Sequence, residues 1–237
     1  MTVHLEAVAF DVVEPGAVAT FWARLLGRTV VPEATGALLP GDETQVGLRF
    51  VATPADEIRR SHLHLHVTSE SLDDQRRTVE TALSLGGTHL DVGQLPDEPH
   101  VVLADPGGNA FCVIEPGNRF LAGCGPLGEV TCEGTREVGL FWRDALGWPL
   151  VWDQDDETAV QSPAGGTKVS WGGEPATRRH EGSRQRLDLV ATDPDAAAAR
   201  LVGLGAGREG GRDGVVTLTD PDGNELRLAR PTTEPPR

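Results

Sequence analysis

Hydrophobic and polar positions along the chain follow a recurring pattern: an alternating run, a segment with helical spacing that ends near glycine, and several shorter alternating runs. In its first occurrence, alternation predicts a strand from Ala7 to Val12, and apolar spacing predicts a helix from Ala17 to Leu26 with Gly27 just past its end. A further strand is predicted from Arg28 to Val31. Together these elements predict a β-α-β-β-β unit.

The same order of elements recurs after residue 60. The run from His62 to Val67 predicts a strand, and the segment from Leu72 to Leu85 predicts a helix stopped by two glycines. Val101 to Leu103 and Phe111 to Ile114 predict a hairpin turned by DPGGN. The corresponding helices of a third and a fourth unit are predicted over Glu137 to Leu146 and Asp195 to Leu204.

Short motifs show that the second half of the chain duplicates the first. The helix end FWARLLG at 21–27 matches FWRDALG at 141–147, and DPGGNAF at 105–111 matches DPDGNEL at 220–226. Their order and separation are nearly the same in both halves. This indicates a duplicated domain of roughly 110 to 120 residues, which is an ordinary domain size.

These features resemble the vicinal oxygen chelate (VOC) superfamily, which includes glyoxalases, bleomycin-resistance proteins, fosfomycin-resistance enzymes and extradiol dioxygenases. The resemblance rests on the four units, the FW-x-x-x-LG helix end and the DPxGN turn, and it extends from about Val3 to Arg230. It implies an α+β fold in which four βαβββ modules form two glyoxalase-like cupped half-barrels, with helices outside and a ligand inside. The sequence leaves open which modules pair.

We predict an N-terminal VOC domain over residues 1–119 and a C-terminal one over 125–231. Their modules are predicted at 1–51 and 60–118, and at 125–173 and 185–230. A linker is expected from Glu115 to Gly128, and the polar loop from Gly172 to Arg184 either covers a cup or is a solvated connection. Residues 232–237 are predicted to form a disordered tail.

Charge and composition narrow the range of partners. The net charge of −15 leaves no basic surface for nucleic acid. No apolar run is long enough to span a membrane and the start of the chain lacks the features of a signal peptide, so we expect a cytoplasmic protein. The sequence leaves open whether it is a monomer or a homodimer. Three cysteines without paired spacing predict reduced thiols.

The strongest candidate for chemistry is the stretch SHLHLHV at 61–67. Alternation places its three apolar residues on one face of a strand and His62, His64 and His66 on the other. Because the apolar face must meet a helix, the histidines are expected to face the cup. Two imidazoles at positions i and i+2 are a common ligand pair for zinc or iron(II). A polar cup wall bonded to water and backbone is the alternative.

The resemblance implies metal ligands in the first and last strands of each module. Alignment puts His62 at one such position and Cys112 at its partner, where metal enzymes of the family commonly have Glu. The other module of the first half has Ala7 there, and Glu6 is expected to point to the opposite face. Most of the family's metal constellation is therefore missing from this half.

In the second half the corresponding positions fall on Arg186 and Arg227, and two arginines cannot hold a divalent cation. The register of the third module's first strand is open between Leu127 and Glu129. Aromatic faces with one or two arginines suit a planar, oxygen-rich or anionic ligand. The side chains that we expect to share this second cup are Trp148, Trp152, Trp171, Arg186, Asp188 and Arg227. Arginines held in salt bridges at the sheet edge are the alternative.

Our leading prediction is a tandem glyoxalase-like protein that binds a small organic molecule without the family's metal, as in sequestration or resistance. Its expected ligand-binding residues are His66, Cys112, Trp148, Trp152, Trp171, Arg186, Asp188 and Arg227. The alternative is a lyase, isomerase or dioxygenase in which His62 and His64 are acid and base. In its metal-dependent form these two and Cys112 bind one divalent ion, either zinc, iron, manganese or nickel. We assign Trp22 and Trp142 to the core.

Overall fold

The computed structural model describes residues 3–95, 97–173 and 182–231, and these form four copies of the predicted module. Module 1 contains β1 (His4–Val12), α1 (Pro15–Leu26), β2 (Val31–Glu33), β3 (Gly36–Leu39) and β4 (Gly47–Ala52). Module 2 contains β5 (Leu63–Val67), α2 (Leu72–Ser84), β6 (Thr88–His89), β7 (Val101–Ala104) and β8 (Ala110–Val113). Part of the predicted polar loop, 174–181, and the predicted tail, 232–237, lie outside the described residues.

The second half repeats the same elements. Module 3 contains β9 (Leu127–Glu133), α3 (Arg136–Leu146), β10 (Leu150–Gln154), β11 (Glu157–Gln161) and β12 (Lys168–Gly172). Module 4 contains β13 (Gln185–Val190), α4 (Pro194–Gly203), β14 (Gly207–Arg212), β15 (Val215–Thr219) and β16 (Glu225–Ala229). The predicted α+β fold of four βαβββ modules is confirmed.

Helix ends follow the local rules that predicted them. Gly27 and Gly147 end α1 and α3 with φ of 67° at both positions, a left-handed conformation that glycine adopts at little cost. The strand predicted from Arg28 to Val31 is displaced, because β2 begins only at Val31. Arg28 instead donates its backbone N–H to the carbonyl of Ala23, so this residue completes the helix exit.

The four modules pair across the two halves of the chain. One eight-stranded sheet joins modules 1 and 4 through the antiparallel pair β1–β13, and the other joins modules 2 and 3 through β5–β9. We call their helix-free faces the 1/4 cup and the 2/3 cup. Each predicted domain therefore contributes one module to each sheet. The division of the chain into two domains at residues 119–125 stays a prediction.

The duplicated motifs connect the two sheets. The indole of Trp22 in α1 donates to Asp105 at 2.8 Å, in the turn between β7 and β8, and Trp142 in α3 donates to Asp220 at 3.3 Å, in the turn between β15 and β16. Asp105 also accepts the backbone N–H groups of its own DPGGN turn. Each FW helix end thus binds the DPxGN turn of the other sheet, and both tryptophans are buried in the core as predicted.

Among the described residues, none of the helices combines the length and the apolar character that a membrane crossing requires.

Candidate functional site

Strand register aligns four polar positions across the centre of the 2/3 cup. His66 of β5 pairs with Cys112 of β8 and with Glu129 of β9, and Glu129 pairs in turn with Lys168 of β12. Side chains of directly paired residues emerge on the same face of a sheet. These four residues therefore form one row across the cup, with His64 two positions from His66 on the same face.

A connected cluster occupies this row. The Nδ1 atom of His66 lies 2.7 Å from Oε2 of Glu129, and its Nε2 atom lies 3.0 Å from Nε2 of His64. The Sγ atom of Cys112 and one nitrogen of each histidine all lie within 4.8 Å of one another. Cys112 and Glu129 are buried and the two histidines are partly buried, so the cluster is largely withdrawn from water.

Neighbouring groups give the two imidazoles different charges. Burial opposes protonation of His66, but hydrogen bonds to Cys112 and Glu129 outweigh it and raise the pKa of His66 to about 9. Burial, together with the charge of His66, lowers the pKa of His64 to about 4. Burial of Glu129 is likewise outweighed by its hydrogen bond with His66, which lowers the pKa of this carboxyl. At neutral pH a His66 imidazolium therefore donates to the Glu129 carboxylate and to neutral His64.

A cavity of about 510 Å³ opens beside the cluster. Its aromatic corner consists of Phe120 and Trp152, whose ring centroids are 5.7 Å apart at an interplanar angle of 82°. The Lys168 ammonium lies 4.1 Å from the centre of the Phe120 ring and donates to the Phe120 carbonyl. The residues that line the cavity are His66, Phe120, Glu129, Thr131, Trp152, Glu157, Thr158, Ser170, Trp171, Gly172 and Gly173.

Three atoms of the cluster suit a metal ion. Two imidazole nitrogens and one thiol sulfur are donors that zinc and related ions accept in proteins. The Glu129 carboxylate on the opposite nitrogen of His66 would orient that ring, as carboxylates commonly do behind metal-bound histidines. The residues present therefore fit one divalent ion, held by His64, His66 and Cys112.

The structure does not bring His62, which we expected to bind a metal with His64 and Cys112, into the cluster, whose third member is His66. β5 begins at Leu63, and the His62 ring contacts the hydroxyl of Ser183. The backbone N–H of His62 donates to the side chain of Gln185, the first residue of β13, at 3.0 Å. His62 therefore belongs to the contact between the two sheets, where burial lowers its pKa to about 4.

The 1/4 cup is occupied by ion pairs. Arg49 of β4 binds Glu6 at 2.8 Å, Glu33 at 2.9 Å and Asp188 at 2.6 Å. Glu6 was expected to point away from this face, but a bulge between Leu5 and Ala7 changes the register of β1 against β13, and the Glu6 carboxylate reaches the guanidinium.

Arg186 of β13 is 5 % exposed and lies 3.0 Å from Asp11 and 3.3 Å from Asp188. Arg227 is nearly half exposed and binds Glu225 at 2.9 Å. Carboxylates therefore already surround the two arginines that we expected to attract an anionic ligand. We had considered either a ligand site or salt bridges for these arginines, and the structure shows salt bridges.

The three tryptophans do not share a cup with these arginines, contrary to expectation. Trp152 and Trp171 border the cavity of the 2/3 cup, because module 3 pairs with module 2 and not with module 4. The Trp171 ring also stacks on Trp142 in the core, with centroids 6.0 Å apart and planes 7° from parallel. Trp148 packs against the core from a partly buried position.

Three residues of the 2/3 cup did not enter the predicted site. The first strand of module 3 had an open register, with either Leu127 or Glu129 at the expected site position. The pairing of Glu129 with His66 settles that register. Lys168 alternates with apolar residues in KVSWG, a signal that could have placed it on the cup face. Phe120 lies in the predicted linker, where no periodicity points to a site.

Comparisons with known proteins agree with this architecture. A family profile described as a glyoxalase-like domain matches residues 7–114 and 129–229, one match in each half. Glyoxalase I from Zea mays is 15 % identical, with a TM-score of 0.67, over 97 % of this chain and 92 % of its own. A putative dioxygenase from Bacillus subtilis is 14 % identical, with a TM-score of 0.59, over 100 % of this chain and 86 % of its own. No curated protein matches the sequence significantly.

The class of protein defined by fold and repeat is a tandem pair of glyoxalase-like domains with open sheets. The chain belongs to the glyoxalase-like domain family, whose profile matches both halves.

Proposed function

We propose that the protein binds one small organic molecule per chain in the 2/3 cup, and that this binding does not require a metal. The observation that carries the proposal is the cavity of about 510 Å³ between an aromatic corner and the imidazole cluster. Cavities of several hundred Å³ with apolar walls and a few convergent polar groups are typical of small-molecule sites. Ion pairs between described residues occupy the centre of the 1/4 cup, so we propose no second site there.

Each part of the cavity has a distinct task in this proposal. Trp152 is 37 % exposed, so its indole face is available for stacking on a planar ligand. Polar groups of the ligand bind to the His66 and Ser170 side chains, which fix its orientation. Because His66, Glu129 and His64 already satisfy one another's hydrogen bonds, this polar floor is stable without an ion.

A second candidate function is a metal-dependent lyase, isomerase or dioxygenase in the same cup. It is favoured by the convergence of the His64, His66 and Cys112 donor atoms within 4.8 Å. A divalent ion bound there would act as a Lewis acid toward vicinal oxygens of a substrate. Glu129 would hold the His66 ring in place, and the aromatic corner would position the organic part of the substrate and exclude water.

A thermal-shift screen of antibiotics and small metabolites on chelator-treated protein, followed by calorimetry, tests the first proposal. We expect one site per chain, and we expect Trp152→Ala to weaken binding by about tenfold or more through loss of stacking. Val151→Ala in the same strand is the matched control, because Val151 is exposed but does not line the cavity. Two equivalent sites per chain, or full affinity in Trp152→Ala, would contradict the proposal.

A further inference from the structure

Cys112 contributes a sulfur atom to the face of the sheet on which His64 and His66 lie. The residue lies in β8 beside His66, and only 7 % of its surface is exposed. Its Sγ atom converges with the two imidazole nitrogens, whereas the nearest carboxylate, Glu129, is bonded to the far nitrogen of His66. The set of atoms that faces a common centre is therefore two nitrogens and one sulfur.

We propose that His64, His66 and Cys112 form a thiolate-bearing metal site that selects zinc-like ions over magnesium, calcium and manganese. This inference rests on the second candidate function. Thiolate and imidazole are donors for zinc, cobalt and related ions, whereas magnesium, calcium and manganese are bound mainly by oxygen. The sulfur of Cys112 therefore favours zinc-like ions in this cup.

The spacing of the imidazoles agrees with this assignment. Two nitrogens bound tetrahedrally to one zinc at about 2.0–2.1 Å lie about 3.3 Å apart. The Nε2 atoms of His64 and His66 are 3.0 Å apart, so a small separation of the rings admits the ion. Binding forms one sulfur–metal bond and two nitrogen–metal bonds. It breaks the S–H bond of Cys112 and the Nε2–H bond of His66, and both protons pass to the buffer.

Cobalt(II) is a suitable probe because thiolate ligation produces a sulfur-to-cobalt charge-transfer band in the near ultraviolet. Reduced, chelator-treated full-length protein titrated with cobalt(II) should bind one ion per chain and show this band. Cys112→Ser should lose the band and weaken cobalt binding by about tenfold or more. Circular dichroism on each variant confirms that it is folded.

The chain supplies matched controls. Cys124 is fully buried near Gln161, and Cys132 lies in the core on the opposite face of β9, so neither sulfur reaches the cluster. Cys124→Ser should keep the band, and so should His62→Ala. Glu129→Gln should keep the band but weaken binding by about 10- to 100-fold, because this carboxylate positions His66 without touching the ion.

A competition on the unaltered protein needs no variant. Zinc should displace cobalt stoichiometrically, and a large excess of magnesium should leave the band unchanged. Cobalt binding without the band, a band that persists in folded Cys112→Ser, or displacement by magnesium would overturn the inference. Absence of any bound metal would overturn it too, while organic ligand binding to chelator-treated protein would still be decided by the calorimetry above.

Discussion

The two cups are built from the same module, yet their polar residues are organised in opposite ways. In the 1/4 cup, Arg49 and Arg186 meet on Asp188, and further carboxylates surround both guanidinium groups. In the 2/3 cup, the polar side chains gather on the floor around His66, and a cavity remains above them. A buried face of this fold can therefore be filled by ion pairs or can keep an open cavity.

The largest effect is expected from breaking the ion-pair network of the 1/4 cup. Among the described residues, Arg186→Met leaves Asp11 without its salt-bridge partner and Asp188 with only Arg49. Removing one member of a buried pair costs about 3 kcal/mol or more. Urea unfolding of the variant and of the unaltered protein measures the loss of unfolding free energy. Arg227→Met is the control, because its exposed pair with Glu225 contributes less than about 1 kcal/mol.

Ligand binding in the 2/3 cup should be unchanged in folded Arg186→Met. If the variant were as stable as the unaltered protein, the network would be replaceable by apolar packing, and the contrast between the cups would be one of volume and not of charge.

The pH dependence of stability above pH 6.5 should come from the 2/3 cup. A pKa of His66 raised from 6.5 to about 9 stabilises the folded state by up to about 3 kcal/mol at pH 6.5 and below, and this contribution is lost as pH rises toward 9. The lowered pKa values of His64 and of His62, which lies at the contact between the sheets, act in the other direction, so stability also falls as pH drops from 6.5 toward 4. Chemical unfolding at a series of pH values measures both declines in unfolding free energy, above and below pH 6.5.

Glu129→Gln separates this effect from other titrating groups. The variant removes the carboxylate that holds the proton on His66, so the decline between pH 6.5 and 9 should flatten. An equally steep decline in the folded variant would show that His66 is not its source.

The smallest effect is expected at the links between the sheets. Trp22→Phe removes the indole N–H that Asp105 accepts at 2.8 Å, and leaving a buried acceptor with one donor fewer costs about 1 to 2 kcal/mol. Trp142→Phe should cost less, because its contact with Asp220 is longer, at 3.3 Å. Both rings are buried, so the packing losses are comparable and the difference in unfolding free energy reports the hydrogen bonds. Equal losses would mean that the two links are equivalent.

The elements of each module could be predicted from adjacent residues, but the pairing between modules could not. Gly27 and the DPGGN turn specify their own conformations, so helix ends and hairpins follow from a few adjacent residues. The pairing of β1 with β13 involves strands far apart in sequence, and each module's alternation is compatible with either partner. For that reason the tryptophans of module 3 were assigned to the cup of module 4.

The candidate site was predictable only in part for a related reason. Alternation placed the histidines on the face opposite the leucines, and this is correct for His64 and His66. It could not show that the strand begins at Leu63, which removes His62 from the cluster. Glu129 and Phe120 enter from a different module and from the predicted linker, so their contribution depends on the tertiary fold.

The exchange of modules between the sheets has a consequence for ancestry. Half of this chain alone would hold one module of each sheet, with the central strands β1 and β5 left as open edges. Two identical halves would close both sheets around a twofold axis, giving a symmetric dimer with two equal binding sites. Joining the halves in one polypeptide releases that symmetry constraint, since a substitution then alters one site without altering its twin. A single chain can therefore fill one face with ion pairs and keep a cavity on the other, which the symmetry of a homodimer forbids.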